Sequence, residues 1–283
     1  MTQILRTRAE LRSALANTPR PVGLVPTMGW LHAGHRSLFR QARAENPTVV
    51  ASIFVNPRQF NQAADYTKYP RNEDRDVQIC ATEGVTIVWA PPVEEVYVPG
   101  FDTTVSVGAI SRPLEGAARP GHFDGVATVV AILFGLVGAE HAYFGQKDAQ
   151  QVMVIRRMAR DLALPTEVIA CPTVREPDGL ALSSRNVHLT PAERAAAPAL
   201  HRALLEAAAQ WRMGERSADV LRATMRQMLA GEPRAVPEYV SVADALSLAE
   251  LEQVDRSALL SLAVSFGPTR LIDNELLEWQ GPA

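Results

Sequence analysis

The sequence predicts an α/β fold: a Rossmann-like parallel sheet flanked by helices over residues 1–173, followed by a smaller α+β domain over residues 174–283. Three observations predict it. Val22–Val25 and Val49–Val55 are short, apolar and rich in valine, as strands buried on both faces tend to be. Such runs alternate with stretches of helical periodicity, the pattern of parallel strands joined by right-handed crossovers. Near Pro172 the composition shifts to alanine-rich helices and then to two apolar runs joined by Gly267-Pro268.

In chain order, the strand Val22–Val25 leads through a glycine-containing turn into a helix expected over Arg36–Ala44. The strand Val49–Val55 follows. A helix around Asp74–Thr82 precedes the strand Thr86–Trp89. Val126–Val137 is the longest apolar run; it is too short to span a bilayer, which needs about 20 residues, and reads as a buried core helix. His141–Phe144 is a short strand, Asp148–Asp161 a helix, and Glu167–Cys171 the next strand. In the second part, Thr190-Pro191-Ala192-Glu193 is a capping box with proline at the first helical position. Leu200, Leu204, Ala208 and Trp211 share one face of the helix behind it. Pro198 should interrupt that helix near its start, and Gly214 can end it. Ser217 can cap a second helix with Leu221, Met225, Met228 and Leu229 facing inward, ending at Gly231. Tyr239–Ala243, Leu260–Phe266 and Thr269–Ile272 read as strands.

Bulk composition excludes several functions. With 283 residues, 47% hydrophobic and 21% charged, the chain is an ordinary globular protein with ample core. A net charge of −3 with scattered basic residues argues against nucleic acid as a partner. No h-region follows Met1, so no signal peptide is expected; no membrane partner is expected, and the expected location is cytoplasmic. Cys80 and Cys171 are flanked by apolar residues and read as buried free thiols rather than a disulfide framework.

The residues that carry chemistry follow strands, where open α/β sheets bind ligands. After the first strand comes Met28-Gly29-Trp30-Leu31-His32-Ala33-Gly34-His35. A strand that ends in such a turn and opens a helix offers unpaired backbone N–H groups to an anion, and two imidazoles add donors. Two polar loop histidines, or a metal pair, are the competing readings; no Cys or acidic ligand lies at useful local spacing. After the second strand, Asn56 and Gln59 in Phe54-Val55-Asn56-Pro57-Arg58-Gln59-Phe60 offer uncharged donors for a hydroxy acid or carboxylate; an Asn-Pro surface turn is the alternative. Downstream, Asp76 could help hold a metal ion. The segment Phe144-Gly145-Gln146-Lys147-Asp148-Ala149-Gln150-Gln151 again joins a strand end to a helix. Lys147 is placed to reach a phosphate, and Asp148 can cap the helix or accept from ribose hydroxyls. Gln151 lies one helical turn beyond Lys147. Finally Val174–Asn186 carries a Pro-Asp-Gly turn and then Leu182-Ser183-Ser184-Arg185, suited to a mobile loop that closes on polyphosphate, or to a polar linker. P-loop, dinucleotide and G-x-S-x-G motifs are absent from the sequence.

Together these segments resemble the pantothenate synthetases (pantoate–β-alanine ligases), a family of the nucleotidyltransferase superfamily that shares the H-x-G-H turn. Met28–His35 matches M-G-x-L-H-x-G-H, and Phe54–Phe60 matches F-V-N-P-x-Q-F. Arg119–Val126 matches R-P-G-H-F-x-G-V, Phe144–Gln151 resembles F-G-x-K-D-x-Q-Q, and Arg175–Asn186 resembles R-E-x-D-G-L-A-x-S-S-R-N. The likeness covers nearly the whole chain. It implies an ATP-dependent ligase that condenses (R)-pantoate with β-alanine through a pantoyl adenylate, releasing pyrophosphate and AMP, with Mg2+ accompanying ATP. It implies that His32, His35, Lys147, Ser183, Ser184 and Arg185 act in catalysis, with His35 as proton donor. ATP would be bound by Met28, Gly29, Trp30, Leu31, His32, Ala33, Gly34 and His35, by Gly145, Gln146, Lys147 and Asp148, and by Val174, Leu182, Ser183, Ser184 and Arg185. Gln59 and Gln151 would hold pantoate, Gln59 also lying near β-alanine. Asp76 matches the family's metal-site acid best. A homodimer joined through N-terminal domains is also implied.

Two positions depart from the family pattern. Asn61 stands where glycine is usual, followed by Gln62-Ala63-Ala64 in place of an acidic stretch, and Leu182 replaces a methionine, a nearly isosteric swap. A nucleotidylyltransferase that leaves the nucleotide on its product is the enzymatic alternative, and a nucleotide-binding regulator the non-enzymatic one. A synthetase acting on tRNA fits less well, since no anticodon-type domain or basic surface is apparent.

Overall fold

The computed structural model describes residues 2–61 and 63–281. Its contacts divide the chain into two compact units. One comprises the residues up to Gln146 together with Gln150–Pro172; the other comprises Lys147–Ala149 and Thr173 onward.

The first unit holds a six-stranded sheet of β1 (Gln3–Leu5), β2 (Val22–Thr27), β3 (Thr48–Ile53), β4 (Ile87–Trp89), β5 (His141–Gly145) and β6 (Glu167–Cys171). Their spatial order is β1-β4-β3-β2-β5-β6, and every pairing is parallel. The expected parallel α/β sheet is therefore observed. β1 is an addition: three partly exposed residues on the sheet edge carry no apolar pattern to announce it. β2 lies at the centre, and the chain builds outward from it in both directions. First β3 and β4 are laid on one side; then the chain crosses to β5 and β6 on the other. The crevice above the carboxyl ends of β2 and β5 is thus the topological switch point, where open α/β sheets take ligands.

Both faces of the sheet are covered. Val25, Val49, Ala51, Val88 and Tyr143 share a core with Leu38, Phe39 and Ala42 of the helix Ala33–Glu45 and with Cys80 of the helix Glu73–Thr82. Val22, Leu24, Val50, Ile87 and Trp89 alternate to the other face and are fully buried. The helix His122–Val137, which contains the longest apolar run, packs on β2 from its buried residues. Among the described residues no helix is long and apolar enough to cross a membrane.

The second unit is an antiparallel sheet of β7 (Val236–Asp244), β8 (Ala258–Phe266) and β9 (Thr269–Leu277) in that order, backed by helices. The Thr190/Glu193 capping box forms as expected and opens the helix Pro191–Ala196. Pro198 then separates it from the helix Ala199–Arg212, because proline lacks the N–H that a continuous helix needs. Ser217 caps Ala218–Ala230 by accepting from the Val220 N–H. Leu200, Leu204, Leu221, Met225 and Leu229 pack with Val242, Leu260, Leu262 and Leu271 in one core. Met228, which the sequence spacing places on the inward face, is 39% exposed: Met225 and Leu229, four apart, define the buried stripe and leave it on the flank. β9 runs five residues past the expected end at Ile272, through the polar pair Asp273-Asn274.

Candidate active site

The turn after β2 is held from several directions. Thr27 Oγ1 donates to the Ser52 carbonyl (2.7 Å) and accepts from the Gly29 N–H (3.2 Å), tying the turn to β3. Trp30 has φ 52°, a left-handed conformation that non-glycine residues seldom adopt. Asp76, 1% exposed in the helix Glu73–Thr82, holds it there: its Oδ2 accepts from the Trp30 N–H (2.7 Å) and its Oδ1 from the Leu31 N–H (2.9 Å). Arg75 donates to the Leu31 carbonyl (2.8 Å) and lies over the Trp30 ring at 5.4 Å. Both Asp76 oxygens are thus engaged by the backbone. The structure gives this residue the task of shaping the turn. Among the described residues no group of three or more His, Cys, Asp or Glu could hold a metal ion.

The two histidines build a helix cap from imidazoles. His32 is the N-cap of Ala33–Glu45; its Nδ1 accepts from the Gly34 N–H (3.1 Å), and the His32 N–H in turn donates to His35 Nδ1 (3.3 Å). The rings lie 4.1 Å apart. A nitrogen that accepts carries no hydrogen, so each neutral ring bears its proton on Nε2. The cap therefore fixes both tautomers as Nε2–H donors. Gly34 is required by close approach: a Cβ there would lie 2.9 Å from His32 Cε1 and 3.0 Å from its Nδ1, displacing the ring that does the capping.

Gln59 follows β3 on a 3-10 turn, Pro57–Gln59, capped by Asn56. Buried Asn56 orients the Gln59 amide. The Asn56 Oδ1 accepts from the Tyr97 hydroxyl (2.7 Å), which leaves its Nδ2 to donate to Gln59 Oε1 (3.1 Å) and to the Gly125 carbonyl (3.0 Å). Gln59 Nε2 then faces Met28 Sδ at 3.0 Å, linking the two sequence segments. The Gln59 carbonyl accepts from His122 Nδ1 (2.9 Å) and Arg119 (3.2 Å). Gly125 lets the helix His122–Val137 touch this turn: a Cβ there would be 2.3 Å from the Arg58 carbonyl oxygen. In the unusual Asn61–Ala64 stretch, Gln62 lies outside the described residues. Asn61 donates to the Pro120 carbonyl at 2.6 Å, a contact that glycine could not make.

At the end of β5, Gly145 and Gln146 stand beside β2's end across the switch point. Residues 146–148 form a 3-10 turn before the helix Ala149–Asp161, so the spacing from Lys147 to Gln151 is not one continuous α turn as expected. The adjacent glutamines have different tasks. Gln150 is buried and ties down the 110–115 loop, accepting from the Glu115 N–H (3.0 Å) and donating to the Ile110 and Pro113 carbonyls. Gln151 is half-buried.

The remaining predicted residues belong to the second unit. Lys147 is 16% exposed and faces Asp148 Oδ1 at 3.7 Å; its carbonyl accepts from Asn274 Nδ2 at 2.9 Å. Val174 and Leu182 pair across a short hairpin, with the Leu182 N–H donating to the Val174 carbonyl (2.9 Å). Ser183 caps the 3-10 turn Ser184–His188 by accepting from the Arg185 N–H (3.2 Å), and the Arg185 side chain is exposed. Arg175 anchors the hairpin through a bidentate pair with buried Asp273 (2.6 and 3.0 Å). The sequence reading missed Asp273, Asn274, Tyr97 and the anchoring roles of Arg119 and His122. Their place between the apolar pairs Leu271-Ile272 and Leu276-Leu277 was the available signal for the first two. Cys80 and Cys171 are buried and free as expected; burial pushes their thiols up to about 12 and about 11.

Comparison with known proteins agrees with this arrangement. The sequence profile of the pantoate-beta-alanine ligase family matches residues 3–276. The pantothenate synthetase of Roseiflexus castenholzii is 57% identical over 276 residues, 98% of this chain and 99% of that one. The crystal structure of pantothenate synthetase from Thermus thermophilus superposes with a TM-score of 0.91 at 48% identity, covering 96% of this chain and 98% of that one. The pantoate-beta-alanine ligase of Francisella tularensis, solved with beta-gamma ATP and beta-alanine, gives 0.79 at 33% identity over 98% of both chains. This chain belongs to the pantoate–β-alanine ligase family.

Proposed function

We propose that the protein joins (R)-pantoate to β-alanine at the expense of ATP, through a pantoyl adenylate. The observation that carries this reading is the His32–His35 cap at the switch point, with both imidazoles set as Nε2–H donors. A carboxylate is a poor acyl donor because its leaving group would be oxide. Attack of a pantoate carboxylate oxygen on the α-phosphorus of ATP forms the new P–O bond and expels pyrophosphate. The β-alanine amine then attacks the acyl carbon, loses a proton, and AMP leaves. No protein nucleophile is needed; the chain's contribution is to position the substrates and stabilise developing charge.

In this reading His32 and His35 donate to phosphate oxygens, with His35 as the proton donor. Met28, Gly29, Trp30, Leu31, Ala33 and Gly34 shape the nucleotide turn, and Gly145, Gln146 and Asp148 serve the ribose side. Lys147 and Arg185 neutralise phosphate charge, the Ser183 and Ser184 hydroxyls donate to phosphate oxygens, and Val174 lies against adenine with Leu182 beside it. Gln59, its amide oriented by Asn56, and Gln151 hold pantoate. Mg2+ enters with ATP as part of the substrate. A cytoplasmic homodimer completes the reading, and sedimentation velocity tests the dimer.

The decisive experiment mixes protein, MgATP and pantoate without β-alanine. Stoichiometric pyrophosphate and pantoyl adenylate are expected, followed by AMP and pantothenate once β-alanine is added. A folded, ATP-binding protein that makes no adenylate overturns the reading. A nucleotidyl product that persists after β-alanine addition favours the nucleotidylyltransferase alternative.

A further inference from the structure

β9 carries two consecutive polar residues, Asp273 and Asn274, that are 4% and 6% exposed. Successive strand residues point to opposite faces, and these two reach different segments. Asp273 takes both arms of the Arg175 guanidinium, and Arg175 also donates to the Gly179 carbonyl (3.1 Å). Arg175 thereby fixes the hairpin whose far strand ends at Leu182 and continues into Ser183-Ser184-Arg185. The 3-10 turn Ser184–His188 also packs against β9. On the other side of the strand, Asn274 Nδ2 donates to the Lys147 carbonyl (2.9 Å), while the Asn274 N–H donates to Asp273 Oδ1 (2.9 Å). Two segments well separated along the chain, each proposed to contact phosphate, are thus tied to neighbouring positions on one strand.

We propose that Asp273 and Asn274 are positioning residues for adenylation: Asn274 sets the Lys147 backbone, and Asp273, through Arg175, sets the Ser183–Arg185 loop. The proposal rests on the reading of Lys147 and Ser183–Arg185 as phosphate contacts. Two buried polar side chains side by side in a strand are costly unless paired, and their pairing here is with these segments. Aminolysis of a preformed adenylate expels AMP and involves no pyrophosphate, so the pair matters for the first half-reaction and little for the second.

The test uses Asn274→Asp, which keeps the shape but cannot donate to a carbonyl, with Asn274→Ala and Asp273→Asn beside it. Two rates are measured on the full-length protein: pyrophosphate release from MgATP and pantoate, and aminolysis of supplied pantoyl adenylate by β-alanine. Asn274→Asp and Asn274→Ala are expected to slow pyrophosphate release about tenfold, as loss of one well-placed hydrogen bond does, and to leave aminolysis within about twofold. Asp273→Asn should slow the same step and raise KM for MgATP. If Asp273→Asn fails to fold because Arg175 is left unpaired, the Asn274 variants decide alone. Unchanged pyrophosphate release in both Asn274 variants, or an equal fall in both half-reactions, overturns the proposal. Lys147→Ala is the control for the underlying reading. If that variant releases pyrophosphate at the wild-type rate, the phosphate role of Lys147 is wrong, whatever the Asn274 variants do.

Discussion

Replacing Asp76 by asparagine tests how the turn after β2 is held. In the native protein one carboxylate satisfies two backbone N–H groups, those of Trp30 at 2.7 Å and Leu31 at 2.9 Å. Asparagine has nearly the same shape but offers one oxygen and one NH2 group, so one of the two N–H groups must face another donor. Loss of a charge-assisted hydrogen bond costs about 1.5–3 kcal/mol, and a buried donor left without an acceptor costs about 1–3 kcal/mol. The two overlap, and a net loss of about 3 kcal/mol is expected. For a protein of this size that lowers Tm by roughly 6–12 °C. Function should suffer beyond stability. Trp30 at φ 52° is strained, by roughly 1–3 kcal/mol, and without its restraint the turn relaxes and carries the His32 cap with it. KM for MgATP should rise about tenfold or more in protein assayed well below its Tm. A role for Asp76 as a magnesium ligand makes a different forecast: activity would be restored by excess Mg2+ with Tm unchanged. Differential scanning fluorimetry and an ATP titration at two Mg2+ concentrations separate the two. A Tm within about 2 °C of wild type, with KM unaltered, would refute the clamp.

Three further outcomes are expected. His32→Ala and Lys147→Ala should each slow pyrophosphate release by roughly 10²-fold, the scale of losing one preorganised donor, with circular dichroism unchanged; wild-type rates would remove that residue from the chemistry. Gly125→Ala places a Cβ 2.3 Å from the Arg58 carbonyl oxygen and 2.8 Å from the Gln59 nitrogen, so the Gln59 turn must move. Its kcat/KM for pantoate should fall about tenfold or more while ATP binding by calorimetry stays near wild type, and an unaltered pantoate profile would contradict this. Burial raises the thiols of Cys80 and Cys171, so at a pH of about 8 they remain protonated and unreactive, and thiolate appears only as pH climbs toward about 11 and 12. A thiol reagent at that mildly alkaline pH should leave the native protein unlabelled and fully active, whereas rapid labelling would show that the helix Glu73–Thr82 or β6 opens.

Much of the fold was legible because its cause is local. The valine-rich runs that form β2 and β3 are apolar on both faces, and only a covered parallel sheet needs that. Thr190, Glu193, Pro198 and Ser217 act within one helical turn of themselves, and the structure has a helix start or break at each. β1 escaped notice because three residues on a sheet edge need no apolar pattern. The end of β9 was missed for the opposite reason: Asp273 and Asn274 look like a terminating polar pair until their partners, 98 and 127 residues distant in sequence, are known. Asp76 shows the same limit. Its carboxylate accepts from the backbone N–H groups of Trp30 and Leu31, more than 40 residues away, and no sequence motif announces that contact. Residues proposed to touch substrate sit in short motifs after strands and can be read directly. Residues that aim them lie elsewhere in the chain and carry no motif.

That division has a mechanistic reason. An enzyme without a covalent nucleophile must obtain its rate from donors already pointing where charge develops, since reorienting them during reaction would cost what they contribute. The two imidazoles and the Gln59 amide each have a partner that fixes their direction. The Gly34 N–H engages His32 Nδ1, and the His32 N–H engages His35 Nδ1, so that Nε2 bears the proton in both rings. The Tyr97 hydroxyl and the Arg58 N–H turn the Asn56 amide, which turns the Gln59 amide so that its nitrogen is the donor end. Tyr97→Phe removes one of the two donors to Asn56 Oδ1, leaving only the Arg58 N–H at 3.2 Å, and so loosens the amide that holds Gln59 with its nitrogen outward. A loss of pantoate affinity with MgATP affinity retained is the expected signature in titration calorimetry, because the His32 cap draws none of its hydrogen bonds from Tyr97.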